Sequence, residues 1–89
     1  MSLNNKLWEW LGVKEQGDFT NDLNLCFKWL VPKIEHYSLW HGAPRIINQP
    51  PMGEHNAEVW IGHNYGYGHS KETSALALCL AIEKLIKEN

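Results

Sequence analysis

Residues 57–87 read AEVWIGHNYGYGHSKETSALALCLAIEKLIK, and this stretch decides the fold. From Ala57 to Ile61, Val59 and Ile61 fall on one side of an extended chain and Trp60 on the other, the two-residue period of a strand. Gly62 to Ser70 follows, either as a tight hairpin with a short final strand or as an ordered glycine-rich loop. From about Thr73 to Lys87 the period becomes helical. Ala75, Leu78, Cys79, Ile82, Leu85 and Ile86 form a main buried face, and Leu76 and Leu80 form a second apolar flank about 120° away.

Upstream, Leu3, Leu7, Trp10 and Leu11 recur at helical spacing up to Gly12, with Trp8 off the stripe. Val13–Phe19 reads as a connection. A longer helix starts near Thr20 as N-cap, with Asp22 in its first turn. Its stripe is Leu23, Cys26, Phe27, Leu30, Val31 and Ile34; Leu25 and Trp29 point elsewhere. Pro32 predicts a kink, and the end falls near His36. Tyr37–His41 alternates as a strand, Arg45–Asn48 is a candidate second strand, and Gln49–Asn56, with Pro50, Pro51 and Gly53, reads as a loop. The expectation is an α/β chain of the α+β kind. It is a helix–antiparallel sheet–helix sandwich with a short extra N-terminal helix, one domain over 1–89. Residues 1–17 form the N-terminal helix and connection, and 18–89 the sandwich-like domain.

With 89 residues there is room for one core, and 44% hydrophobic and 20% charged residues are ordinary for a globular chain. A formal charge of −2 argues against duplex nucleic acid as a partner, because that binding needs a dense basic face. No apolar run reaches the ~18–20 residues of a membrane span. The start, MSLNNKLWEW, lacks the basic and apolar segments of a signal peptide, so a cytoplasmic location is expected. Cys26 and Cys79 both fall on apolar helix faces, where buried thiols are a better reading than a disulfide. Five tryptophans exceed what so small a core needs, so some should meet a ligand or partner.

Two segments carry a family resemblance. Asp18-Phe-Thr-Asn-Asp-Leu-Asn-Leu-Cys-Phe-Lys-Trp-Leu-Val-Pro-Lys-Ile34 resembles the first helix of the phage ABA sandwich domain family. Thr73-Ser-Ala-Leu-Ala-Leu-Cys-Leu-Ala-Ile-Glu-Lys-Leu85 resembles its last, where a threonine precedes an alanine-rich LALCLA-like run. Together they cover about a third of the chain, in the right order around a strand block. The resemblance implies a helix, an antiparallel sheet and a closing helix, in small proteins of phages and prophages. It supplies no catalytic residue, and Trp40–Lys71 has no counterpart in it. The phage setting brings, by analogy, the sequestration of cyclic nucleotide or ADP-ribose-type immune signals of the host.

The Gly62–Ser70 segment is the sharpest local feature. Its glycines let backbone amides approach a ligand, and the helix start near Thr73 offers N–H groups to an anion. Tyr65 and Tyr67 are candidates to stack on a base. Ser70, Lys71 and Thr73, with Arg45, are candidates for phosphate oxygens. The segment lacks the ending of a P-loop. The plain alternative is a hairpin whose tyrosines cover the sheet. Trp40 and Trp60 form an aromatic wall beside it if they face away from the helices, and part of the core if they do not. No histidine pair has metal-site spacing, so no metal or other cofactor is expected; His41, His63 and His69 are read as ligand-contacting or exposed. Ser70 beside His69 has no elbow motif, which makes nucleophilic catalysis a weak reading. Leu25, Trp29, Leu76 and Leu80 are either an interface between copies in a homo-oligomer or packing against the N-terminal helix. The leading expectation is a non-enzymatic binder of a nucleotide-like molecule. The rival is a module that presents the same aromatics to a protein, and a small enzyme acting on a nucleotide comes third.

Overall fold

The computed structural model describes residues 2–42 and 55–87. The candidate strand Arg45–Asn48 and the candidate donor Arg45 lie outside the described residues. Helix α1 spans Leu3–Leu11; the Ser2 hydroxyl accepts the Asn5 amide at 3.1 Å. Gly12, at φ 72°, ends it in the left-handed region that glycine enters most cheaply. Helix α2 is short, Leu23–Trp29, and lies between 3-10 turns at Phe19–Asn21 and Val31–Lys33. The long kinked helix expected from Thr20 to His36 is therefore broken in two places. Asp18 and Asp22 each turn a carboxylate onto nearby backbone N–H groups, so Asp22 rather than Thr20 caps α2, with Leu25 N at 3.1 Å. Pro32 then starts a new turn in place of a kink. Of the expected stripe, Cys26, Leu30 and Ile34 are buried, while Phe27 stays 37% exposed.

Strands β1 (His36–His41), β2 (His55–Ile61) and β3 (Asn64–Ser70) form an antiparallel sheet in the order β1-β2-β3. Gly62 and His63 make the two-residue turn of the β2–β3 hairpin, with Gly62 at φ 58°. Pairing puts Tyr37, Val59 and Gly66 in one row of the inner face, Leu39, Ala57 and Gly68 in the next, and His41, His55 and Ser70 in the third.

Helix α3 (Ser74–Lys87) lies against this inner face at backbone distance. A Cβ on Gly66 would overlap the Ala81 carbonyl oxygen and sit 3.0 Å from Leu85 N. One on Gly68 would overlap Ala77 O and Ala81 N and sit 2.9 Å from Leu80 C. Ala77 and Ala81 are fully buried, so small residues meet from both sides. Away from the sheet, α3 meets α1 through Lys6 Nζ and Glu83 Oε2 at 3.2 Å. Buried on the sheet side and the core side, α3 reads apolar almost all round, as a central helix must. The class is α+β, with the chain order helix, antiparallel sheet, helix behind a short first helix.

Trp8, expected off the stripe, is only 2% exposed and stacks on Phe19 at 4.2 Å between centroids. The connection folds back along α1 and covers a second side of it. Asn4 Nδ2 and Trp8 Nε1 both donate to Gly17 O, at 3.0 and 2.9 Å, and Phe19 N donates to Asn4 Oδ1 at 2.8 Å. Among the described residues no helix is long and apolar enough to cross a membrane.

Candidate functional site

The outer face of the sheet collects the aromatic surplus. In register its rows are His36, Trp60 and Tyr65; Ser38, Glu58 and Tyr67; Trp40, Asn56 and His69. Strand alternation makes this so, because each of these residues is one step from a residue that faces α3. Among the described residues no helix packs on this face: α3 meets the inner face, α1 meets α3, and α2 reaches the inner-face Tyr37 through Phe27.

The rings form two groups. Trp60 and Tyr65 lie 5.3 Å apart between centroids at 51°. Tyr67 lies 6.0 Å from Trp40 and 5.9 Å from His69, both at 33°. The tyrosines are fixed alike, each donating to a β2 side chain: Tyr65 Oη to Glu58 Oε2 at 2.7 Å and Tyr67 Oη to Asn56 Oδ1 at 2.6 Å. Asn56 is buried and donates Nδ2–H to Gly42 O at 3.0 Å. Burial, helped by the Glu58 charge, pushes the Tyr67 phenol above its ordinary pKa, so it stays a hydrogen-bond donor. Held side chains of this kind offer π-faces in fixed positions, and their chemistry is stacking and hydrogen bonding.

Five candidates thus share one face: Trp40, Trp60, Tyr65, Tyr67 and His69. Others lie elsewhere. His63 is in the hairpin turn and exposed, and Lys71 is exposed just past β3. His41 is on the inner face. Ser70 is buried there, its Oγ accepting Glu72 N at 2.9 Å. Thr73 is the N-cap of α3: its Oγ1 accepts Leu76 N at 3.0 Å and donates to Thr20 O at 3.2 Å. The glycine-rich phosphate cradle is corrected accordingly. Gly62 makes a turn, Gly66 and Gly68 face α3, and the Ser70 and Thr73 hydroxyls cap backbone.

Leu25 and Trp29 pack against the core; Leu25 lies against Gly17, and Trp29 meets Trp8 edge-on at 5.6 Å. Leu76 and Leu80 are half-buried. Both thiols are fully buried. Cys26 Sγ donates to Phe19 O at 3.2 Å, and a hydrogen bond with Cys26, together with burial, raises the Cys79 pKa far above the ordinary thiol value. Neither is placed as a nucleophile. Among the described residues no three His, Cys, Asp or Glu side chains converge as a metal-binding group.

Sequence reasoning left out Glu58, Asn56 and His36. The alternation from Trp60 back to Glu58 and Asn56 was the available signal. It also left out a contact between His55 Nδ1 and Ser74 Oγ at 3.1 Å, which joins residues 19 positions apart and has no local signature. No family model, curated protein or solved structure matches this chain.

Proposed function

We propose that the outer face of the sheet is a non-enzymatic binding site that holds a small nucleotide-like molecule by ring stacking. The observation that carries the reading is the gathering of Trp40, Trp60, Tyr65, Tyr67 and His69 on one face, in two groups of contacting rings. A base stacked on an aromatic side chain gains roughly 1–3 kcal/mol, so two such contacts with a few hydrogen bonds support micromolar affinity. Lys71, exposed two positions beyond His69, supplies a cation for a ligand phosphate. In the phage setting that the resemblance implies, the outcome is sequestration of a cyclic nucleotide or ADP-ribose-type host signal in the host cytoplasm. Leu76 and Leu80, half-buried on α3, are the contacts proposed for a homo-oligomer.

A second reading rests on Phe27 and Tyr37, residues 37% and 44% exposed whose rings meet edge-on at 5.6 Å. They form a separate exposed aromatic pair at the β1 edge, on the inner side of the sheet, as a seat for a protein partner. Calorimetric titration with cyclic dinucleotides, cyclic ADP-ribose isomers and mononucleotides separates the two. Saturable binding, with the ligand recovered chemically intact, supports the first reading. Absence of binding across the panel removes it, and turnover of the ligand replaces it with an enzymatic one.

A further inference from the structure

His55 opens β2 and Ser74 opens α3, and the two meet at 3.1 Å between Nδ1 and Oγ. In the tautomer that carries its proton on Nε2, His55 Nδ1 accepts the Ser74 hydroxyl proton, the contact a base makes with a nucleophile. The His41 ring packs edge-on against His55, 4.9 Å between centroids at 61°, and limits its rotation. Ser74 and His55 are half-buried and His41 is exposed, so a small molecule reaches the pair from solvent. Nearby Ser70 differs on both counts, being 7% exposed with its oxygen bonded to Glu72 N.

The start of α3 adds a second element. Thr73 takes the Leu76 amide with its hydroxyl and the Ala77 amide with its carbonyl. The amides of Ser74 and Ala75 come before the first bond within the helix, beside the nucleophile and at the positive end of the helix dipole. Donors in that position favour a developing oxyanion.

We propose that Ser74, activated by His55, is a nucleophile that takes the acyl group of a small activated carboxylic ester and passes it to water. Ser74 Oγ bonds to the ester carbonyl carbon as its proton moves to His55 Nδ1. The C–O bond to the alcohol breaks, and the alcohol leaves with the proton from His55. Water then attacks the acyl-serine, His55 takes a proton from the water and returns it to Ser74 Oγ, and the carboxylic acid departs. Ester and water are the only reactants. Among the described residues the ring of His41, not a carboxylate, packs against His55. The acyl-serine accumulates, because the second step has the poorer nucleophile. This site lies on the inner side of the sheet and is independent of stacking on the outer face.

The test uses the intact protein and a fluorophosphonate, which marks activated serines, with adducts located by peptide mapping; release of nitrophenol from p-nitrophenyl acetate follows the acyl transfer. One adduct on Ser74 is expected, absent in Ser74→Ala and formed about 100-fold more slowly in His55→Gln, the usual scale of general-base assistance. The urea-unfolded chain should react only at background rate, a comparison that needs no variant to fold. A wild-type protein without an adduct on Ser74, an adduct formed equally fast in folded His55→Gln, or equal labelling of native and unfolded chain would each overturn the proposal.

Discussion

Asp18 accepts three hydrogen bonds within its own turn: from Thr20 N at 3.0 Å, Thr20 Oγ1 at 2.6 Å and Asn21 Nδ2 at 2.7 Å. The Thr20 hydroxyl lowers its carboxyl most; burial opposes this, and Asn21 and the Thr20 amide add to the lowering, so the carboxyl lies below the ordinary 3.8. A carboxylate whose pKa is lower folded than unfolded adds stability that is full above the unfolded value and is lost as pH falls through the folded one. Asp18→Ala should therefore cost about 1 kcal/mol near neutral pH, the usual loss for such a cap, and less below the ordinary 3.8. Urea denaturation of both proteins at pH 7 and at pH 3 checks this; a gap that does not narrow in acid would put the stabilisation in the uncharged side chain. The same turn shows why residue-level detail was only partly legible. Asp18, Thr20, Asn21 and Asp22 are all competent caps, and the sequence pointed to Thr20. The choice falls to Asp18 and Asp22 because the connection is pulled back onto α1 through Asn4, Trp8 and Phe19, which no local pattern announces.

At the scale of elements, the β3–α3 contact sets the tolerance of the fold. Gly66→Ala and Gly68→Ala place a methyl group against helix backbone, which cannot rotate away as a side chain can. Each should cost at least the roughly 1–3 kcal/mol of an overpacked core, a large part of the stability of a chain this size. Gly62→Ala offers the contrast. Its Cβ meets nothing within 4 Å, and only the backbone at φ 58° opposes it, at roughly 1–2 kcal/mol. Chemical denaturation should rank the two strand variants below the turn variant, and the opposite order would mean that α3 shifts freely. The elements themselves were largely readable: the Ala57–Ile61 alternation, the hairpin alternative for Gly62–Ser70 and the final helix agree with β2, β3 and α3. The purpose of the glycines was not. Gly66 and Gly68, two apart on a strand, match Ala77 and Ala81, four apart on a helix, because both spacings return to one face. Either half alone also fits a flexible loop or an ordinary helix.

On the scale of the whole molecule, the two sides of the sheet carry separate work, and this separation can be measured. The inner side holds Ala57, Val59, Gly66 and Gly68, all buried under α3, so substitution there acts on folding. On the outer side Trp60 is half-buried and Tyr65 is 37% exposed; their rings lie against each other, and Tyr65 donates to Glu58. Trp60→Ala or Tyr65→Ala removes a stacking surface while leaving the α3 contact intact. If the outer face holds the ligand, each should weaken binding by roughly 1–3 kcal/mol, or about 5- to 150-fold, with a smaller change in unfolding free energy. Val59→Ala should do the reverse. It removes two methyl groups from a fully buried site, with a loss of about 1–3 kcal/mol in stability and near-normal affinity in the fraction still folded. Lys71→Ala is the third arm, and should weaken a phosphorylated ligand more than its dephosphorylated analogue. Plotting affinity against stability for these variants gives two clusters on this account. Points along a single line would mean that the outer aromatics matter only because they help the sheet to fold, and the stacking site would have to be given up.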